Sequence, residues 1–100
     1  MKNNGFCGML GICAKAGAVA SGAFAAEKAI KTGTARLVIV AADAAENTKA
    51  DYERLCESRD IPFLMYADKE TLGKAIGKGE RTVIAITEKG LADSLRLKMT

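Results

Sequence analysis

Hydrophobic and polar positions along the chain switch repeatedly between the spacing of an amphipathic helix and short, wholly apolar runs. The clearest example is the 21–43 segment, SGAFAAEKAIKTGTARLVIVAAD. Gly22 begins a helix there and Gly33 ends it, because glycine adopts the left-handed conformation that a helix C-terminus favours. The apolar run Leu37–Ala42 follows without alternation, which is typical of a strand covered on both faces. This segment therefore predicts a helix followed by a central buried strand.

The rest of the chain continues this alternation of helix and strand signals. Four further helices are predicted: one capped by Asn3 or Asn4 and running to about Ala16, one with Thr48 and Asp51 as a capping box, one capped by Asp68, and one capped by Thr87. Their apolar stripes include Tyr52, Leu55 and Cys56, then Leu72 and Ile76, then Leu91, Leu95 and Met99. Further strands are predicted at Ala18–Ala20, Ile61–Tyr66 and Thr82–Ile86. Such an order predicts helices on both faces of one central sheet.

Composition narrows the class of protein. The chain has 100 residues, of which 49% are hydrophobic, and this predicts one globular domain spanning residues 1–100. The net charge of +3 is mild, so it permits RNA binding by a local patch without requiring it. Three cysteines without a CxxC pair indicate reduced thiols, and the N-terminal uncharged run is too short to span a bilayer. We therefore expect a cytoplasmic protein without a membrane segment.

Two groups of residues are candidates for chemistry, although the chain contains no histidine. The 73–79 segment, GKAIGKG, fails the spacing of a phosphate-binding loop, and a short helix ended by Gly77 with a turn at Gly79 is the better interpretation. Asp43 and Glu46 follow the main strand, where a carboxylate pair supports acid-base chemistry or magnesium binding. A role as loop and cap residues is favoured instead. We expect neither enzymatic activity nor a cofactor or metal.

Positive side chains near the predicted helix ends point to an anionic partner. Lys28 and Lys31 lie three residues apart and project from neighbouring positions of one helix surface. Gly22 permits close approach at the helix N-terminus, where free N–H groups attract phosphate. Lys74 and Lys78, four residues apart on the predicted fourth helix, are further candidates to face a phosphate backbone. The favoured interpretation is RNA binding, and the alternative is an ordinary solvated face.

Several motifs together resemble a known family. They are AKAG at 14–17, SG at 21–22, KAIKTGTARLVIVAADA at 28–44, ENTK at 46–49, LC at 55–56, IP at 61–62 and LGKAIGK at 72–78. In this order they resemble the L-seven-Ae family of kink-turn-binding ribosomal proteins, in particular its bacterial YlxQ-type branch. The resemblance implies an α/β fold, a three-layer α-β-α sandwich with a four-stranded mixed sheet, and no enzymatic activity. It also implies a structured RNA partner with a sharply bent internal loop, such as ribosomal RNA, and association with the ribosome.

The resemblance also suggests which residues contact RNA, and where the chain departs from the family. Archaeal and eukaryotic members open their recognition helix with Gly-x-Asn-Glu-x-x-Lys, in which Asn and Glu contact sheared G·A pairs. Gly22 and Lys28 match this pattern, whereas Phe24 and Ala25 occupy the Asn and Glu positions. Because two base-edge contacts are absent, the resemblance implies weaker binding of a standard kink-turn.

Four other positions correspond to the family's RNA-binding surface. Glu46 and Arg59 are expected to line a pocket for an extruded base, and Tyr66 and Ala67 to form an apolar loop. A tyrosine at this place can stack on a base, since aromatic stacking is a usual device in RNA recognition. The alternative is that Tyr66 ends a strand and packs against the core.

One rival hypothesis uses the same fold. In it the chain has lost kink-turn recognition and binds a protein partner, or itself, through an apolar surface. The exposure of Phe24 distinguishes an interface residue from a core residue, because it is the one aromatic side chain of its helix.

Overall fold

The computed structural model describes residues 4–98, which form five helices and four strands. In chain order these are α1 (Asn4–Lys15), β1 (Val19–Ser21), α2 (Ala23–Lys31), β2 (Leu37–Val40), α3 (Glu46–Ser58), β3 (Phe63–Met65), α4 (Lys69–Ala75), β4 (Val83–Ile86) and α5 (Lys89–Leu97). Every predicted element is present; β1 is displaced by one residue, and the other three strands are shorter than expected. The predicted cap at Asn3 and the stripe residue Met99 lie outside the described residues.

The four strands form one mixed sheet in the order β1-β4-β2-β3. Strand β2 pairs in parallel with β3 and antiparallel with β4, and β1 pairs antiparallel with β4. This arrangement confirms both the mixed four-stranded sheet and the internal position of β2. We name the two ends of the sheet along the strand direction. The end at which β2 and β3 finish and β4 begins is called the upper edge. The opposite end is the lower edge.

Alternate residues of β2 pack into two separate cores. Leu37 and Ile39 face a cluster built with α1, α4 and α5, whereas Val38 and Val40 face a cluster built with α2 and α3. All four side chains are fully buried. This two-sided burial explains why the run lacks polar positions. It also confirms the three-layer α-β-α sandwich, with α2 and α3 in one layer.

Two of the predicted helix caps are wrong. Helix α3 begins at Glu46 and not at Thr48, and Ala45 precedes it without a capping side chain. The earlier start lets Glu46 pair with Lys49 one turn later, at 3.1 Å. Helix α5 is capped by Glu88 instead of Thr87: the Glu88 carboxylate accepts a hydrogen bond from the Leu91 amide at 2.7 Å.

The predicted cap of α4 is confirmed, because the Asp68 carboxylate accepts a hydrogen bond from the Thr71 amide at 2.7 Å. Hydrogen bonding from Thr71 lowers the pKa of the Asp68 carboxyl group below its usual value. The carboxylate therefore stays charged, and remains an acceptor for the first turn, down to a lower pH than a free aspartate would.

The glycine-rich 73–79 segment is the end of α4 and a turn, as the sequence predicted. The helix ends at Ala75, and Gly77 adopts a left-handed φ of 74°. Lys78 lies beyond this end, so the expectation that Lys74 and Lys78 share one helix is wrong. The turn folds back onto the helix, because the Lys78 amide donates to the Gly73 carbonyl at 2.8 Å.

Gly73 is required at the contact between this turn and α4. A Cβ atom at Gly73 would lie 1.9 Å from the Gly79 carbonyl oxygen, which is far inside van der Waals contact. Because the obstructing atoms belong to the backbone, the loop itself would have to move. Gly73 therefore fixes where the 76–82 loop sits, and this loop leads directly into β4.

We expect Gly73→Ala to lower the free energy of unfolding by at least about 2 kcal/mol, as overpacking a closed contact does. Gly8→Ala is the matched control, because Gly8 is exposed on α1 and a Cβ there meets no atom within 4 Å. That substitution should stabilise the chain by roughly 0.5 to 1 kcal/mol through helix propensity. Urea unfolding of both variants measures the difference, and equal stabilities would contradict the close contact.

Candidate nucleic-acid interface

The N-terminus of α2 opens at the upper edge without a capping side chain. Gly22 precedes the helix with φ 89° and ψ 164°, a conformation that is essentially restricted to glycine. Its amide donates to the Val83 carbonyl of β4 at 2.9 Å, which fixes the helix start to the sheet. The first intrahelical bond runs from Ala26 to the Gly22 carbonyl. The amides of residues 23–25 therefore have no partner within the described chain, and they give this end a partial positive charge.

Two prominent side chains on α2 are accessible to a ligand. Phe24 is 84% exposed, so it is not part of either core. Lys28 follows one turn later, is exposed, and forms no ion pair within residues 4–98. Ala25, between them in the sequence, is half-buried. An aromatic ring and a free cation thus lie one helical turn apart.

The 76–82 loop completes this surface with a residue that the sequence analysis missed. A groove of about 520 Å³ separates the loop from the start of α2, and residues 21–25 and 80–82 line it. The Arg81 guanidinium donates to the Ser21 hydroxyl at 3.3 Å and to the Glu80 carbonyl at 2.9 Å. Sixty residues separate Arg81 from Ser21, so the only sequence signal was an arginine just before the last strand.

Tyr66 and Ala67 lie at the same end of the sheet but belong to the other core. The Tyr66 ring packs on Phe6 of α1, with ring centroids 4.5 Å apart and planes tilted by 58°. Both residues contact the cluster beneath α1, whereas α2 covers the opposite face. The Ala67 carbonyl accepts a hydrogen bond from the Ala42 amide at 2.7 Å. The structure thus favours the packing interpretation of Tyr66 over base stacking.

The expected pocket between Glu46 and Arg59 does not exist. Glu46 is the first residue of α3 and Arg59 follows its last, so at roughly 1.5 Å per residue they lie about 20 Å apart. Arg59 instead lies at the lower edge, where its guanidinium donates to the Lys31 carbonyl at 3.0 Å. Lys31 ends α2 and belongs to this lower group too. The family resemblance grouped Glu46 with Arg59 in one pocket, and the fold places them at opposite ends of α3.

The remaining candidates have structural partners. The Asp43 carboxylate accepts a hydrogen bond from the Lys69 amide at 3.0 Å and so braces the start of α4. Lys49 pairs with Glu46 and also donates to the Ala42 carbonyl at 3.1 Å. Within the described residues, no three histidine, cysteine, aspartate or glutamate side chains come together to hold a metal ion.

Lys74 is exposed on α4 and lies 3.8 Å from the Glu70 carboxylate. Helix α4 packs against α1, in the layer opposite α2. Lys74 and Lys28, two separate candidates for phosphate contact, are therefore carried by different layers.

Comparison with known proteins places the chain in a family. The sequence model of the ribosomal protein L7Ae/L30e/S12e/Gadd45 family matches residues 8–96. The chain belongs to this family. Its membership agrees with the resemblance found in the motifs and is typical of a binding protein rather than an enzyme.

The matches to individual relatives cover almost all of the chain. RNA-binding protein YlxQ of Bacillus subtilis (strain 168) is 33% identical over 87 residues, which make up 87% of each protein. A solved structure of a Bacillus halodurans protein with unknown function has a TM-score of 0.90 and 33% identity, and the match covers 94% of this chain and 95% of that one. The 15.5kD RNA binding protein of Giardia lamblia has a TM-score of 0.80 and 25% identity, with coverage of 97% and 83%. No helix among residues 4–98 has the length and apolar character needed to cross a bilayer.

Helix α2 packs on the sheet and is joined to α3 by one side-chain hydrogen bond. The Tyr52 hydroxyl of α3 donates to the Glu27 carboxylate of α2 at 3.3 Å. Burial, followed by the negative charge of Glu27, raises the pKa of Tyr52 to about 12. Burial likewise raises the pKa of the Cys56 thiol to about 11. Both groups are therefore neutral in the folded protein at physiological pH.

These two pKa shifts predict alkaline destabilisation. The ordinary pKa values are 10.0 for tyrosine and 9.0 for cysteine, so the unfolded chain releases both protons at lower pH than the folded chain. The contribution of these two protonated groups to the free energy of unfolding is fully present below about pH 9 and is lost as pH rises towards about 12. Tyr52→Phe should flatten the fall in unfolding free energy above about pH 10, while costing about 1 kcal/mol near neutrality for the lost hydrogen bond. Urea unfolding over this pH range measures both effects, and an unchanged alkaline slope in the variant would contradict the assignment.

Proposed function

We propose that this protein binds structured RNA through the start of α2 and the 76–82 loop. The observation that carries the proposal is the uncapped N-terminus at Gly22, beside the exposed Phe24 and the Arg81 guanidinium. Free amides at a helix N-terminus attract phosphate oxygens. An exposed aromatic ring offers a stacking surface for an unpaired base. The RNA-binding relatives from Bacillus subtilis and Giardia lamblia support RNA as the ligand.

The surface has the parts that an RNA ligand needs. Phosphate contacts position the RNA, and Lys28 together with the free amides at residues 23–25 supplies them. The Phe24 ring supplies an apolar contact that needs no particular base. Arg81 adds charge on the other side of the groove, from which it already bonds the Ser21 hydroxyl. Binding of this kind is electrostatic in large part and is sensitive to salt.

We further propose that the RNA is a kink-turn or a similar bent internal loop, bound more weakly than by relatives with Asn and Glu on the recognition helix. The family resemblance supports this choice, since Gly22 and Lys28 keep their places in the pattern. Phe24 and Ala25 offer no hydrogen bonds to the edges of G·A pairs. Shape and phosphate contacts would then account for most of the affinity. Ribosomal RNA is the natural source of such loops for a protein of this family, and association with the ribosome is part of the same proposal.

Removing the charge of Lys28 tests the phosphate contact. We expect Lys28→Gln to weaken binding of every RNA to a similar degree and to reduce the slope of log affinity against log salt by about 1. Lys98→Gln is the matched control, because Lys98 is exposed at the end of α5, in the other layer. Fluorescence anisotropy titrations of a labelled kink-turn RNA at several salt concentrations give both slopes. Equal slopes for the two variants would remove Lys28 from the interface.

Restoring the family's base-reading pair tests the proposed RNA class. Phe24→Asn combined with Ala25→Glu should strengthen binding of a kink-turn RNA, since each good side-chain contact to a base edge contributes about 1 to 3 kcal/mol. Because Phe24 is 84% exposed, its loss leaves no cavity in either core. Thermal unfolding of the double variant should therefore stay close to that of the wild type.

The control for this experiment is an RNA whose G·A pairs are replaced by Watson–Crick pairs. The double variant should gain nothing on that RNA. If it gains nothing on the intact kink-turn either, Gly22 and Lys28 do not position the helix on such RNA. If the wild-type protein binds no structured RNA, the whole proposal is contradicted and a protein partner at Phe24 is favoured.

A further inference from the structure

A second basic surface lies at the lower edge, far from the start of α2. It is a cavity of about 310 Å³ between the end of α2, the start of β3 and helix α5. Four cationic side chains line it, namely Arg36, Arg59, Lys89 and Arg96, against the two carboxylates of Asp60 and Asp93. The excess is therefore two positive charges at one place, in a chain whose net charge is +3.

The cationic groups of this cavity differ in how far they are already neutralised. Lys89 bonds the Asp93 carboxylate at 2.9 Å, so these two charges offset each other. Arg59 donates to a neutral acceptor, the Lys31 carbonyl, and keeps its full charge. Arg36 and Arg96 are exposed, and within residues 4–98 their guanidinium groups make neither an ion pair nor a hydrogen bond.

Three arginines thus face one cavity with only Asp60 as an unpaired carboxylate. Arginine is the cation best suited to phosphate, because its planar fork donates two parallel hydrogen bonds. The cavity opens to solvent on one side, and its volume of about 310 Å³ leaves room for a phosphate group between these side chains. The burial of Ile30 and Ala35 in the neighbouring core holds the cavity wall in place.

We propose that the cavity of Arg36, Arg59 and Arg96 is a second phosphate site, which takes the backbone of an RNA segment distinct from the one at Gly22. The proposal rests on the RNA binding proposed above. Helix α2 spans the two sites: Gly22 precedes its first residue and Lys31, bonded to Arg59, is its last. Its nine residues rise about 13 Å at roughly 1.5 Å per residue. The protein therefore contacts RNA at both ends of one helix, and an RNA too short to reach both ends meets only one of them.

The test compares two double variants that remove the same charge. Arg36→Gln with Arg96→Gln neutralises the cavity and leaves Arg59, because Arg59 also ties α3 to the end of α2. Lys15→Gln with Lys98→Gln is the control, since neither lysine lines the cavity. Anisotropy titrations use a long structured RNA and a minimal kink-turn, each at about 50 and about 200 mM salt, and circular dichroism verifies that both variants are folded.

On the long RNA, the cavity variant should lose affinity, and the drop in affinity between the two salt concentrations should shrink about threefold for each phosphate contact removed. The loss should be smaller on the minimal kink-turn, which presents fewer phosphates to the cavity. Equal binding of the long RNA by both variants, with wild-type affinity retained, would overturn the second site and leave the proposed function intact. Absence of binding by the wild type would overturn the proposed function itself.

A titration with inorganic pyrophosphate distinguishes an RNA backbone from a small phosphate ligand. NMR spectra of the wild type should show weak shifts at Arg36 and Arg96 that the long RNA reverses by competition. Tight pyrophosphate binding that the RNA does not displace would assign the cavity to a small ligand and would overturn the RNA contact.

Discussion

The covering of the β2–β4 pair on both faces is the constraint on which the rest of the structure depends. Every residue of the two strands is buried, and their side chains alternate between two cores. Hydrophobic burial is the dominant favourable term in folding, and these eight side chains lie at the centre of both cores. A shift of either strand by one residue would exchange the two cores completely. The strand register is thereby fixed, and the positions of both proposed RNA sites are fixed with it.

The geometry of the candidate interface depends on that register. Strand β4 holds Gly22 through the Val83 carbonyl, and the 76–82 loop reaches β4 only after packing its backbone against Gly73. Two glycines therefore have complementary functions. Gly22 supplies a conformation that other residues avoid, and Gly73 supplies space. Neither residue has a side chain to offer to a ligand, yet together they determine how far the loop lies from the helix.

The sequence predicted elements well where a single periodic signal spans the element, and poorly where several residue types compete. The strand predicted at 37–42 is present at 37–40, and the helix ends at Gly22 and Gly33 were correct, because burial and left-handed turns each restrict the residue type. The cap at Thr87 was wrong because the neighbouring Glu88 carboxylate caps α5. The cap at Thr48 was wrong because α3 begins two residues earlier, at Glu46, without a capping side chain. For the site, the family pattern placed Lys28 on the helix that begins after Gly22. The same resemblance grouped Glu46 with Arg59, and no sequence signal pointed to Arg81 as part of the site, because distances between elements depend on the tertiary fold.

The hydrogen bonds of Arg81 have a consequence for the entropy of association. A free arginine or lysine side chain loses up to roughly 2 kcal/mol of rotamer freedom when a ligand immobilises it. Arg81 has already lost most of that freedom, because the Ser21 hydroxyl and two loop carbonyls hold its guanidinium. Lys28 has no such restraint within the described chain, so in the proposed complex its side chain would become ordered only on RNA binding. Two cations of equal charge, Arg81 in the groove and Lys28 further along α2, thus differ in the conformational entropy that each would lose on binding.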